Sequence, residues 1–169
     1  MSLSNINRLR TKKIISLFPG VHLRLLQRMT QTSFNTTRYH VRNLELAGEI
    51  VCTKDGGHDR LFPAGLPERQ RAVSALLLDR TTRKIVESLL TSGGLCNAEI
   101  ADATKTAKST VSEHIDSLRK EDIVKRVVSL DGTVTYELRD KEEMARQLSS
   151  FQASMLASAA DRFVELWDI

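Results

Sequence analysis

The chain has 169 residues, of which 41% are hydrophobic, 27% charged and only 5% aromatic, with a net charge of +4; this is the make-up of a soluble helical protein whose cores are filled by Leu, Ile, Val and Ala. No apolar run approaches the roughly 18 residues that cross a bilayer, and Met1 to Lys13 is polar and basic without a signal peptide's apolar stretch, so no membrane partner and a cytoplasmic location are expected. The two cysteines, Cys52 and Cys96, have no His or Cys beside them at ligand spacing, which excludes a disulfide framework and a zinc site and leaves two plain buried thiols.

In chain order, Ile14, Ile15 and Phe18 mark a first helix that Pro19-Gly20 ends. Leu23 to Met29 is a second helix, with His22 placed to assist its cap. Ser33 is the expected N-cap of a third, whose inward residues are Val41 and Leu44 and whose end Gly48 closes in the left-handed conformation. Ile50 to Lys54 and Arg60 to Phe62 are strands around Asp55-Gly56-Gly57. Pro63 to Glu68 is a break, and Arg69 to Leu78 a connecting helix.

Thr82 to Leu90 carries Ile85, Val86, Leu89 and Leu90 on one helical stripe, stopped by Thr91 to Gly94. Asn97 is the expected cap of the next helix, with Glu99 in its first turn and Ile100 and Ala103 inward. After the Lys105-Thr106 turn, Val111, Ile115 and Leu118 define a further helix ending near Glu121 and Asp122. Ile123 to Ser129 and Thr133 to Leu138 flank Asp131-Gly132 as a hairpin. From Asp140 onward, Met144, Leu148, Phe151, Met155, Ala159, Phe163 and Leu166 recur every three or four residues as one face of a long helix. That face either packs on its own domain or forms a dimer seam, since it offers more apolar surface than a small module covers.

Gly20 to Phe62 lies on Gly94 to Tyr136 without a gap, and apolar positions coincide: Val21 with Leu95, Leu26 with Ile100, Val41 with Ile115, Leu44 with Leu118, Ile50 with Val124, Phe62 with Tyr136. His40 falls on His114, and Gly48 on Asp122, a residue that tolerates the left-handed region. Three helices followed by a hairpin, twice, predict a mainly α fold with small β-hairpin wings: two winged helix-turn-helix domains in tandem plus a C-terminal helix. The expected boundaries are residues 1–64 and 80–139 for the two domains, 65–79 for a linker helix and 140–169 for a C-terminal helix of packing or dimerisation.

Several segments resemble those of archaeal tandem winged-helix transcriptional regulators. They are Pro19 to Arg24, Thr37 to Glu45, Asp55-Gly56 leading to Arg60 to Pro63, Glu68 to Val73 and Arg83 to Ile85. Ser109 to Ile115 is similar to their second recognition helix, itself like that of arsenic-repressor-type regulators. The likeness runs from about Lys12 to Phe163. It implies a cytoplasmic DNA-binding protein that controls transcription, often as a dimer; the cysteine-rich metal-sensing helix of arsenic repressors is missing, so no metal response is carried over.

Residues 1–63 hold 10 Lys and Arg against 4 Asp and Glu, a net +6, while the remainder is net −2. The basic half is therefore the expected polyanion binder. Its third helix keeps Asn35, Thr36, Arg38, Tyr39 and Arg42 off the core, next to the Ser33 cap. Arg38 and Arg42 are four apart and adjacent, suited to a bidentate guanine contact and a phosphate contact, and Asn35 to adenine. In the second copy the same face reads Ser109, Thr110, Ser112, Glu113 and Asp116, where the acids repel phosphate and Lys105 and Lys108 are the usable phosphate ligands. Lys54, His58 and Arg60 are wing candidates, whereas Lys125 and Arg126 of the second wing are read as solvated, and His40 and His114 as satisfied, half-buried side chains.

The expected function is sequence-specific binding of double-stranded DNA in transcription control, as a homodimer, with contact to transcription machinery as a further partner. The alternative is a winged-helix protein-interaction module in a nucleoprotein assembly, which the acidic second copy fits in part. No phosphate-binding Gly-rich loop, His-Glu-x-x-His or nucleophile arrangement is present, so neither an enzyme nor a cofactor is expected.

Overall fold

The computed structural model describes residues 3–55 and 57–167, with side chains for 5–54, 57 and 59–159. The chain divides into two compact units, Met1–Ala75 with Phe151–Ile169, and Leu76–Ser150.

Unit one begins with α1 (Leu3–Leu17), β1 (Val21–His22), α2 (Leu23–Thr30) and α3 (Phe34–Leu46), followed by the hairpin of β2 (Ile50–Asp55) and β3 (His58–Pro63). The strands form an antiparallel sheet in the order β1, β3, β2, with Val21 opposite Leu61 and Val51 opposite Phe62. Its core is Ile14, Ile15, Phe18, Val21, Leu26, Val41, Leu44, Ile50, Leu61 and Phe62, all buried. Each such side chain contributes about 1.5–3 kcal/mol by leaving water.

Local chemistry sets the helix ends. His22 caps α2, its Nδ1 accepting from Leu25 N at 3.2 Å, and Ser33 caps α3, its Oγ accepting from Thr36 N at 3.1 Å. Between the two helices runs a chain of hydroxyls: Thr30 Oγ1 is 2.9 Å from Thr32 Oγ1, which is 2.8 Å from Thr37 Oγ1, which donates to Ser33 O at 3.0 Å. With Thr30 and Thr37 buried, this chain ties the start of α3 to the end of α2.

After α4 (Glu68–Leu77), unit two holds α5 (Arg80–Ser92), α6 (Asn97–Thr104), α7 (Lys108–Lys120) and the hairpin of β4 (Val124–Val128) and β5 (Val134–Leu138). Ile85, Val86, Leu89, Ile100, Val111, Ile115, Leu118, Ile123, Val124 and Leu138 form its core. Leu95 bridges Tyr136, as β1 pairs with β3 in unit one.

The offset of 74 residues extends to backbone detail. α2 and α6 start and stop that far apart, as do α3 and α7. Gln31 and Lys105 end the second helices at φ 54° and 53°, and Gly48 and Asp122 follow the third helices at φ 67° and 55°. Asp122 stands where glycine was, as expected, and its carboxylate holds Arg139 Nε at 2.6 Å. One cap differs from the expectation: Cys96, not Asn97, is the N-cap of α6, with the Glu99 carboxylate reaching back to accept from Cys96 N at 2.7 Å. That bond holds the Glu99 carboxyl below its ordinary range. Cys52 and Cys96 are free and half-buried rather than buried.

The long helix α8 (Lys141–Trp167) opens with Asp140 accepting from Glu143 N at 2.8 Å. Met144 and Leu148 are buried in unit two, whereas Phe151 belongs to unit one, where its ring meets the edge of Phe18 at 6.0 Å. Met155 is exposed, as is Ala159; Phe163 and Leu166 lie outside the residues whose side chains are described. Among the described residues no helix is long and apolar enough to cross a membrane.

Candidate nucleic-acid interface

On α3 the helical period separates two faces. Thr37, His40, Val41 and Leu44 are buried, while Asn35, Arg38, Tyr39 and Arg42 are exposed, Tyr39 to 58%. Ser33 and Thr36 sit at the capped end of that exposed face, their hydroxyls 2.8 Å apart. Arg38 and Arg42 have no ion-pair partner among the described residues, so both guanidiniums project into solvent one turn apart. Two cations of α1 are spent differently: Arg8 and Lys12 reach the Glu49 carboxylate at 2.5 Å and 2.6 Å, and Lys12, then Arg8, hold its carboxyl below the ordinary range.

The wing candidates separate. Lys54 is exposed near the hairpin turn, opposite Asp59. Arg60 is half-buried and donates from Nη1 to Gly20 O at 3.2 Å, which fastens β3 to the loop before β1. The His58 side chain lies outside those described. Arg24, not among the sequence-derived candidates, is exposed in the first turn of α2 and lines a cavity of about 260 Å³ with His22, Leu23, Phe34, Gly57 and Asp59. The cavity lies where the starts of α2 and α3 meet the wing turn. Its signal in the sequence was a cation two residues after a cap.

On α7, Lys108, Ser109 and Ser112 are exposed, Thr110 is half-buried, and Lys105 is exposed at the left-handed end of α6. The N-cap is Ala107, which offers no side-chain bond, so the first amides of α7 are open. Ser112 is internally engaged, accepting from Asn97 Nδ2 at 2.8 Å and donating to Lys108 O at 3.0 Å. Glu113 and Asp116 are exposed on the same helix, Asp116 holding Arg119 at 3.3 Å. The second wing is apolar at its end, with Val128 54% exposed and Leu130 fully so. Its Lys125 is held by Glu137 at 2.9 Å.

The two histidines do not share one fate. His114 is half-buried and satisfied as expected, with Nδ1 2.9 Å from Thr82 Oγ1. His40 is buried rather than half-buried, and its Nδ1 has no hydrogen-bond partner among the described residues. Among those residues no group of His, Cys, Asp and Glu is placed to hold a metal ion.

Residues 78–125, spanning α5, α6, α7 and the start of β4, match the family model described as winged helix-turn-helix DNA-binding. With the hairpin of β4 and β5, unit two has the winged helix-turn-helix arrangement. Solved structures similar to the chain include the YusO protein from Bacillus subtilis, at 20% identity over 59% of this chain and 70% of that one, with a TM-score of 0.46. Another is a MarR family transcriptional regulator from Silicibacter pomeroyi, at 19% identity over 56% and 66% of the two chains, with a TM-score of 0.43. No curated protein matches the sequence.

Proposed function

We propose that the chain is a sequence-specific, double-stranded-DNA-binding transcription regulator of two winged helices in tandem, residues 1–64 and 80–139, joined by a linker helix over 65–79. In this reading α3 enters the major groove. The observation that carries it is the exposed face of α3, with Asn35, Arg38, Tyr39 and Arg42 beside the cap at Ser33 and Thr36, over a core that fixes the helix. Arg38 and Arg42 supply a bidentate guanine contact and a phosphate contact, Asn35 suits adenine, and the Tyr39 ring can lie on a thymine methyl. Lys54 reaches the backbone from the wing, while Arg60 serves the wing's own geometry. Lys105 and Lys108, with the open amides of α7 and the hydroxyls of Ser109 and Thr110, anchor backbone phosphates in the second domain, one for each lysine. Ser112 contributes there by holding α6 to α7.

Fluorescence anisotropy of the full chain on labelled duplex fragments, across a salt series, tests this. Binding should favour some fragments and fall by roughly 0.9 log units per phosphate contact for each decade of salt. Absence of binding at low salt overturns the DNA reading.

A second reading is favoured by one feature of unit two: its third helix displays Glu113 and Asp116, and its wing ends in exposed Val128 and Leu130. Acidic and apolar groups suit a protein partner better than phosphate, so the second domain takes contact with transcription machinery as its alternative role. The segment 140–169 is proposed as a packing and homodimerisation helix; Met155 and Leu156 of α8, 46% and 73% exposed, are the surface that a second copy covers. Sedimentation at concentrations well above those used for DNA should return a dimer; a monomer there removes the homodimer from the proposal.

A further inference from the structure

His40 and His114 stand 74 positions apart on the third helices of their units and meet opposite electrostatics. His114 Nδ1 lies 2.9 Å from Thr82 Oγ1 and 3.7 Å from Asp79 Oδ1, so a hydroxyl and a carboxylate stand beside the ring. At the same offset, unit one has Arg8 in place of Thr82 and Asn5 in place of Asp79. His40 is only 2% exposed, with Nδ1 unpartnered among the described residues and the Tyr39 ring T-shaped against its own, centroids 5.4 Å apart.

The elements packed against α3 are α1, α2 and β2. Their charged groups include Arg8 and Lys12 on α1, Arg24 and Arg28 on α2 and Lys54 on β2, and of all of them only Arg8 acts on the imidazole. Glu49, the acid beside that corner of the fold, is already engaged by Arg8 and Lys12. Among the described residues His40 Nδ1 has no hydrogen-bond partner.

We propose that His40 is an acid-sensitive latch on α3: a proton on its buried Nδ1 finds no acceptor among the described residues, so α3 loosens from unit one, whereas His114, with Thr82 and Asp79 beside it, leaves α7 docked. Burial first, and Arg8 second, hold the folded-state value of His40 below the ordinary 6.5. The unfolded chain therefore takes the proton more readily. The part of unit one's stability that neutral His40 contributes is fully present above about pH 6.5 and is lost as pH falls through the lower, folded-state value. The consequence for DNA affinity rests on the reading of α3 as the groove helix; the latch itself does not.

Hydrogen exchange of the full chain without DNA, from about pH 7.5 to about pH 5.5 and corrected for intrinsic rates, reads it directly. Peptides from residues 34–46 should lose protection several-fold, up to about tenfold at the acid end, while those from 108–120 hold theirs. His40→Gln should abolish the acid-dependent loss, and Arg8→Thr, which supplies unit two's residue, should shrink it. Equal loss in α3 and α7 overturns the latch, as does an acid response unchanged in both variants. If His40→Gln unfolds at neutral pH, Arg8→Thr decides alone: an unchanged acid loss in it overturns the proposal. A chain that never binds duplex DNA but shows the selective loss in α3 sinks the DNA reading and keeps the latch.

Discussion

Replacing Arg38 and Arg42 together by alanine is expected to lower affinity for the preferred duplex about a hundredfold or more and to flatten the preference among fragments. The two guanidiniums are exposed, one turn apart and without ion-pair partners among the described residues, so their removal leaves the core of unit one untouched. A bidentate guanine contact carries about 1–3 kcal/mol of discrimination, and the loss of one phosphate contact makes the salt slope shallower by roughly one. Lys105→Ala with Lys108→Ala should act differently. It should flatten the salt slope by roughly two while the ranking of fragments survives, because those ammoniums stand at the open start of α7 and carry no base-reading geometry. Anisotropy across a salt series separates the cases. Should the arginine pair change nothing and the lysine pair abolish binding, reading belongs to the second domain, which is also the segment that the winged-helix family model covers.

Gly20→Val should destabilise unit one by about 3 kcal/mol or more, the sum of backbone strain and overpacking. Gly20 sits at φ 91°, where a β-branched residue is badly strained, and an added Cβ would lie 2.9 Å from Ala75 Cα and 3.2 Å from the Phe62 ring. The neighbouring atoms cannot simply give way, because Gly20 N donates to Leu61 O at 2.7 Å and its carbonyl accepts from Arg60. Gly48→Ala makes the contrast. Its φ is 67°, but nothing lies within 4 Å of the added carbon, so only the conformational cost of about 1 kcal/mol is expected. Urea denaturation of the full-length variants, followed by circular dichroism, compares them; equal losses would show that the close approach at Gly20 carries no energy.

The difference between those glycines also shows how far the sequence reaches. A positive φ after a third helix is a local matter, and Gly48 and Asp122 were legible because few residues adopt that conformation. That Gly20 lies against Ala75, 55 positions away, is not written in any local pattern. The helical stripes were legible for the same local reason: Val41 and Leu44, or Val111, Ile115 and Leu118, can share a face only at the helical period, and all are buried. The Ser33 cap and the Asp131-Gly132 turn also follow from bonds made within a few residues.

The side chains of the candidate interface were partly legible. Exposure of Arg38, Tyr39 and Arg42 follows from the period, but whether a polar group is already engaged does not. Arg60 looked available and is committed to Gly20 O, and Ser112 to Asn97, partners 40 and 15 residues away. The threonine chain that seats α3 was missed because its middle member, Thr32, meets Thr37 only after the turn has brought both helices together.

The sequence alone determined the helices, the two hairpins, the left-handed closures at Gly48 and Asp122 and the offset of 74 residues, since these arise from backbone preferences and solvent-driven burial within short windows; the strand β1 and the left-handed ends at Gln31 and Lys105 were not read from it. Only the tertiary structure decided that Phe151 of α8 belongs with Phe18 while Leu148 belongs to the other unit, and that His40 Nδ1 lacks a hydrogen-bond partner among the described residues where His114 Nδ1 has Thr82 and Asp79 beside it. Those outcomes depend on which distant side chain fills a given space, and the identities of Arg8 and Thr82 acquire meaning only when the fold sets each against its histidine.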